Sequence, residues 1–468
     1  MPKKSPKTLR VLTAYDEKLI KELPYDSSLK ANRALATARA LADDRSKWLT
    51  GAERIAILEK AKTLVQERYD EIVNTSAMEG GKPLIDTRAE ITRAINGIQV
   101  AIEEIPKLTG KEIAMGVNAA SLNRMAYTFR EPIGVVVAIC AFNHPFNLCV
   151  HQVITAVAAG CPVIIKPAST TPLSAINLVK ILHDSDLPKQ WAQVIIANNQ
   201  VAEQLVTDPR VNYLTFIGSG RVGWYLRSKL APGTRCALEH GGSAPVIFEA
   251  DADIENALPL LAKGGLYHAG QVCVSVQRVF AHRKVARKVA NGLARIARKL
   301  KVGDPLDDKT EVGPLIQPRE NDRVHDWVKE AKRKGGKVLC GGRKLSRTCY
   351  EPTIILDPPQ NVRISCAEVF GPVIAVYSYK DRDEAIRLAN SLPLSFQAAV
   401  FTKDLEVALD AVKRLNAASV MVNDHTAFRV DWMPFRGSKE SGIGIGGIPY
   451  TMHEMTEEKL MVIKSSVL

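Results

Sequence analysis

The stretch IGVVVAICAFNHPFNLCVHQVITAVAAGCPVIIKP, residues 133–167, decides the fold. From Pro132 to Ile165 the chain carries no Asp, Glu, Lys or Arg, a length sufficient to span a bilayer. Yet Asn143, His144, Pro145, Asn147, His151 and Gln152 occupy its middle, and Gly160-Cys161-Pro162 breaks it again. Such polar and helix-breaking residues are costly in lipid. The segment instead reads as two buried parallel strands, Ile133–Cys140 and Pro162–Lys166, flanking a buried helix over Leu148–Ala159. A membrane role is excluded on this ground.

The same alternation continues outward. After Lys166 come a helix over Leu173–His183, a β run over Trp191–Ala197, a short helix at 200–207, a strand over Val211–Ile217 and a helix from Arg221. The pattern then repeats, with strands at Ala244–Glu249 and Ser275–His282 and near 352–357, 373–379, 396–402 and 418–423. Helices are expected at 253–268, 283–300, 319–334, 382–391 and 404–414. Strands alternating with helices make βαβ units, so the fold class is α/β with two doubly wound, Rossmann-like parallel sheets and a boundary near 236–242. The beginning is helical, with apolar residues at three- and four-residue spacing over 28–46 and 51–75 and a stop at Glu79-Gly80-Gly81. Two polar β runs, Arg124–Arg130 and Lys459–Lys464, have no evident partner in a doubly wound sheet. Exposed edges of that kind need covering, which points to strand pairing between subunits.

With 468 residues, 46% hydrophobic and 24% charged, the chain has ordinary globular composition and can bury a large core without disulfides. Its eight cysteines form no Cys-x-x-Cys or Cys-x-x-His pair, so no metal site is expected. Without a leader-like segment, reduced thiols and a cytoplasmic location are expected. The net charge of +13 is scattered. Lys3, Lys4 and Lys7 read as a tail, Lys332-Arg333-Lys334 closes a helix where the dipole favours cations, and Arg283 to Lys301 lies along an amphipathic helix. No nucleic-acid module accompanies the charge, so no nucleic-acid partner is expected.

Four local features carry chemistry, each with a plain alternative. Gly218-Ser219-Gly220-Arg221-Val222-Gly223 matches G-x-G-x-x-G between a strand and a helix, the context of a dinucleotide site. Cys273, in Gly270-Gln271-Val272-Cys273, is either an exposed thiolate or a small buried hydrophobe. Glu239, before Gly241-Gly242, is either a general base or a solvated carboxylate. Asn143 is either an amide donor at a strand's carboxyl end or a turn residue before Pro145.

Taken in order, Phe142-Asn143, Ile165-Lys166-Pro167, Phe216-Ile217-Gly218-Ser219, Leu238-Glu239-His240-Gly241-Gly242, Gly270-Gln271-Val272-Cys273, Glu368-Val369-Phe370-Gly371-Pro372 and Pro434-Phe435-Arg436-Gly437 resemble the aldehyde dehydrogenase superfamily over nearly the whole chain. The resemblance implies an NAD(P)-binding domain at 1–111 and 134–236, a catalytic domain at 237–449 and a β oligomerisation segment at 112–133 and 450–468 of a homodimer or homotetramer. It also implies that Cys273 is the nucleophile, that Asn143 and the Cys273 N–H hold the oxyanion, and that Glu239 activates the water that hydrolyses the thioester. Lys166, Ser169, Gly218, Ser219, Glu368 and Phe370 would hold the cofactor. Ser169 stands where NAD-preferring relatives commonly have Glu, so NADP as well as NAD is expected to be accepted.

The loop Asn423–Trp432 is similar to that of relatives acting on lactaldehyde and phosphonoacetaldehyde, and His144 replaces the usual aromatic beside Asn143. Arg429 and His144 are therefore candidate substrate contacts, favouring a short aldehyde with a carboxylate, sulfonate or phosphonate. The competing role for Arg429 is an ion pair with Asp424 or Asp431 that only orders the loop. Val272, in place of a second cation, gives a dianionic phosphonate thinner support. Alternative functions are oxidation of small neutral aldehydes such as lactaldehyde, a CoA-acylating dehydrogenase, and a non-catalytic binding protein.

Overall fold

A computed structural model describes residues 8–468; the tail lysines 3, 4 and 7 lie outside them. Two parallel sheets form the frame. The first has six strands in the order Gly442–Ile443, Arg235–Glu239, Tyr213–Ile217, Val136–Ile139, Val163–Lys166 and Ala192–Val194. The second has seven, ordered Lys337–Cys340, Thr353–Leu356, Val373–Tyr379, Arg278–His282, Pro245–Phe248, Gln397–Phe401 and Ser419–Val422. The fold is thus α/β, as the alternation requires. Each sheet has one antiparallel strand at an edge, Gly442–Ile443 in the first and Lys337–Cys340 in the second. The strand bearing Glu239 is therefore flanked by a segment more than 200 residues further along the chain.

Four helices, Ser28–Asp43, Gly51–Glu67, Tyr69–Gly80 and Leu84–Glu104, precede the first sheet. The helix expected over 51–75 is broken at Arg68, where no Gly or Pro marks the break. Three of these helices bury Leu58, Ile72, Ile91 and Ile98 against the uncharged segment 132–165, in a core with Val153 and Val157. The helix expected at 148–159 starts earlier, at Pro145, where proline suits a first turn. It contains a π-helical turn at Val150–Ile154.

Other expected elements shorten. The strand expected over Ser275–His282 is ordered as β structure only from Arg278, because residues 272–275 form the turn that carries Cys273. The helix expected at 283–300 spans Ala286–Ala297. The two orphan β runs pair with each other: Arg124–Pro132 and Thr456–Lys464 are antiparallel throughout, with Glu112–Ile113 adding a third strand. The outer edge of Thr456–Lys464 faces solvent with Leu460, Met461, Val462 and Ile463 exposed. Among the described residues no helix is long and apolar enough to cross a membrane.

Candidate active site

The carboxyl ends of the first sheet's strands face the amino ends of the second sheet's strands, and a cavity of about 660 Å³ lies between them. From the first sheet come Asn143, Gly218, Ser219 and Glu239; from the second, Cys273, Glu368 and Phe370. His144, Ser169 and Arg429 line it as well. Lys166 ends its strand beside this space but is not part of the lining. Among the described residues its ammonium has no hydrogen-bond partner, and burial lowers its pKa to about 8.

Cys273 sits in a turn prepared by backbone strain. His268, Ala269 and Gly270 are successive left-handed residues, with φ of 47°, 52° and 68°. For the two non-glycine residues this costs about 1–3 kcal/mol each. At Gly270 only glycine fits, because a Cβ there would lie 2.2 Å from the carbonyl oxygen of Gly371. The turn is tied down by the Gln271 side chain, which donates to the carbonyls of His268 and Pro314 and accepts from the N–H of Ile316. Asn143 donates one amide hydrogen to the Gln271 carbonyl at 2.9 Å. An amide carries two, and among the described residues the other has no partner.

The cavity's ionisable groups are held away from their ordinary states. Burial pushes the Cys273 thiol up to about 12, with the charge of Arg429 working in the opposite direction. Burial likewise raises the Glu239 carboxyl, again opposed by Arg429. Glu368 is pushed up to about 8 by burial, although the Gly242 N–H donates to it at 3.2 Å. Its carboxylate rests directly on Gly241, where a Cβ would come within 1.9 Å of it. His144 is kept neutral by burial and by Lys82, with His268, Arg93 and Arg429 nearby. Its ring meets those of Tyr267 and His268 at 6.4 and 6.1 Å.

Arg429 makes no ion pair with Asp424 or Asp431 among the described residues. Its guanidinium lies 3.5 Å from the Phe435 ring centroid, and its Nε is buried without a partner. Asp431 is already engaged: Arg93 donates to both its oxygens at 3.1 and 2.6 Å, and His151 Nε2 lies at 2.7 Å. Burial opposes the charge of Asp431, but the His151 bond together with Arg93 and Arg429 holds its carboxyl well below the usual range.

Arg93 also lines the cavity. It escapes sequence reasoning because it sits on an amphipathic helix 338 residues before its partner. Among the described residues, no group of three or more His, Cys, Asp or Glu is placed to hold a metal.

The Gly218–Gly223 motif opens the helix Gly220–Arg227, as its context requires. Its last glycine serves packing, since a Cβ on Gly223 would fall 2.0 Å from the His240 ring. Ser169 is exposed beyond the strand end. The phosphate-compatible helix start, the partnerless Lys166 ammonium and Glu368 cradled on Gly241 form a donor and acceptor set that fits a dinucleotide.

Comparison with known proteins gives the same frame. The model of the aldehyde dehydrogenase family matches residues 1–461. Over 456 residues the chain is 37% identical to the 3-sulfolactaldehyde dehydrogenase of Priestia aryabhattai, covering 97% of this chain and 94% of that protein. Aldehyde dehydrogenase 21 from Physcomitrella patens, crystallised with the reaction product succinate, superposes with a TM-score of 0.94 at 36% identity, over 98% of this chain and 96% of that one. Glyceraldehyde-3-phosphate dehydrogenase GapN of Methanocaldococcus jannaschii, complexed with NADP, gives 0.93 at 33% identity, over 98% and 100%.

Proposed function

The chain belongs to the aldehyde dehydrogenase family, and from that premise we propose that it oxidises a short aldehyde bearing a carboxylate, sulfonate or phosphonate to the free acid. The observation that carries the anionic preference is Arg429, a cavity-lining guanidinium stacked on Phe435 with no carboxylate of its own. A buried cation left in that condition gains most from an anion brought in by the substrate. Arg93 and the neutral imidazole of His144 line the same cavity, but Arg93 is already paired with Asp431, which leaves Arg429 as the unpaired one of these two arginines.

The residues then divide the work. Arg429 orients the head group, and the free Asn143 amide hydrogen with the Cys273 N–H receives the aldehyde oxygen. Cys273 releases its thiol proton to solvent, and its Sγ bonds to the carbonyl carbon as the C=O π pair moves onto the aldehyde oxygen. NAD or NADP, when bound, supplies the hydride acceptor that turns this adduct into a thioester. Glu239 takes a proton from water as that water's oxygen bonds to the thioester carbon. The C–S bond breaks, Cys273 leaves as thiolate and the acid departs.

Lys166, Gly218, Ser219, Glu368 and Phe370 hold the cofactor, and Ser169, carrying no charge, accepts either form. The first sheet forms the cofactor-binding unit and the second the catalytic unit, while the exposed edge of Thr456–Lys464 pairs subunits into a homodimer or homotetramer. Glu239 in the hydrolytic position disfavours transfer of the acyl group to CoA.

The test is absorbance at 340 nm with NAD⁺ and NADP⁺ separately, over propanal, lactaldehyde, succinate semialdehyde, sulfoacetaldehyde, 3-sulfolactaldehyde and phosphonoacetaldehyde. Turnover concentrated on the charged aldehydes is expected. Equal or better turnover of propanal and lactaldehyde would return Arg429 to a structural role and make small neutral aldehydes the substrates.

A further inference from the structure

The segment Gly442-Ile443-Gly444-Ile445-Gly446-Gly447 is pressed over the strand that bears Glu239. A Cβ on Gly442 would lie 2.0 Å from the Leu238 carbonyl oxygen, and one on Gly444 would lie 2.8 Å from the Ala237 Cβ. At Gly446 the near neighbour is different in kind: the Cβ would fall 2.1 Å from Glu239 Oε1 and 3.2 Å from its carboxyl carbon. The missing side chain of Gly446 is thus the space that the Glu239 carboxylate fills. Gly446 is also bridged to Phe435 in both directions, donating to its carbonyl at 2.7 Å and accepting from its N–H at 3.0 Å. Phe435 in turn carries the Arg429 guanidinium on its ring.

We propose that Gly446 is a positioning residue whose empty side-chain space seats the Glu239 carboxylate, and that this seat sets the rate of thioester hydrolysis without touching the steps before it. The inference rests on the reading of Glu239 as the base that activates water. Acyl-enzyme formation uses Cys273 and Asn143, and the three atoms nearest a Cβ on Gly446, at 2.1, 2.8 and 3.2 Å, belong to Glu239 and Phe435 instead. Hydrolysis needs Glu239, and a methyl on Gly446 takes the place its carboxylate occupies. The same methyl would stand 2.8 Å from the Phe435 carbonyl oxygen. A general disturbance of the bridge is therefore the rival explanation, and the experiment is built to separate the two.

The experiment is a double-mutant cycle read by rapid mixing at 340 nm with saturating aldehyde and NAD(P)⁺, using Gly446→Ala, Glu239→Asp and the pair. In the wild-type background Gly446→Ala is expected to leave the rate of the first-turnover burst intact and to slow steady-state turnover about tenfold. In the Glu239→Asp background the carboxylate is withdrawn by about one C–C bond length of roughly 1.5 Å. The methyl then meets no carboxylate, and Gly446→Ala should change steady-state turnover less than about twofold. Equal slowing in both backgrounds, or loss of the burst itself, would overturn the proposal.

Yield of folded protein gives a second reading of the same cycle. If the single Gly446→Ala chain does not fold, recovery of folded protein in the Glu239→Asp background supports the seat, and failure in both overturns it. Glu239→Gln separates this from the underlying reading. Unchanged hydrolysis in that variant removes Glu239 as the base, whereas slowed hydrolysis with an indifferent Gly446→Ala removes only the seat.

Discussion

Two regions of this protein bury charge, and they do so in opposite ways. Behind the cavity, buried ionisable groups have partners. Lys82 pairs with Glu90, both essentially inaccessible. The second oxygen of Glu90 accepts from the N–H groups of Phe146 and Asn147 at the start of the helix that follows Asn143. Glu79 accepts from Leu173 and Ser174 at the head of another helix, which lacks a side-chain cap of its own. Asp431 takes Arg93 and His151.

In the cavity the groups are half-buried and unmatched: Cys273, Glu239 and Arg429 make no hydrogen bond or ion pair to one another among the described residues. Buried polar groups without partners are costly. The contrast therefore marks where partners must come from a ligand rather than from the chain.

The largest effect should come from removing the group with the most specific open valence. Cys273→Ala is expected to lower turnover by about 10⁴-fold or more, roughly 5.5 kcal/mol, while a fluorescence titration shows unchanged NAD(P)H binding. Substantial residual dehydrogenase activity would break the assignment.

Next, damage to the paired region should appear in stability. Glu90→Gln strands the Lys82 ammonium and should cost about 3–5 kcal/mol in urea denaturation. Glu239→Gln, which removes an unpaired acid, should stay within about 1 kcal/mol of the parent. Comparable losses in the two variants would erase the distinction.

Arg429→Ala should then lower kcat/KM about 100-fold for the preferred anionic aldehyde and less than about threefold for propanal. Equal losses on both would mean that Arg429 only orders its loop.

The smallest effect concerns pH. With its thiol pushed up to about 12 by burial, Cys273 should react with iodoacetamide at a rate still climbing with pH above 9, without the plateau of an ordinary thiol. Arg429 lowers this pKa, so its removal moves the thiol further up and reduces the thiolate present at any given pH. Inactivation of Arg429→Ala at pH 9 should be a few-fold slower than that of the parent. A plateau in the parent, or faster inactivation of the variant, would contradict the field described for the cavity.

The unmatched region is the one the sequence made legible. Cys273, Glu239 and Asn143 stand in short motifs at element ends, where local order alone brings them to a sheet's edge. The matched region was not legible. Whether Arg429 pairs with Asp431 is open in the sequence, because only Val430 separates them and either can serve the other. The answer lies in Arg93 and His151, which reach Asp431 across 338 and 280 residues. The break at Arg68 was hidden for a related reason: apolar spacing runs through it, and the bend is imposed by packing rather than by Gly or Pro. The two β runs were recognisable as strands, but period-two alternation does not name a partner some 330 residues away. Gly446 was invisible because its significance is a space, and a space belongs to the side chain that fills it.

The triple junction at Asp431 has a consequence for how the molecule is made. Arg93 leaves the ribosome 338 residues before the carboxylate that neutralises it, and His151 leaves 280 residues before. At about 5–20 residues per second, Arg93 waits roughly 17–68 s for its counter-charge. Throughout that interval the nascent first sheet and its helices carry a cationic socket with nothing in it. The loop that closes the socket is the loop that brings Arg429 to the cavity, so Arg429 takes its place only after the frame that holds it has had time to form.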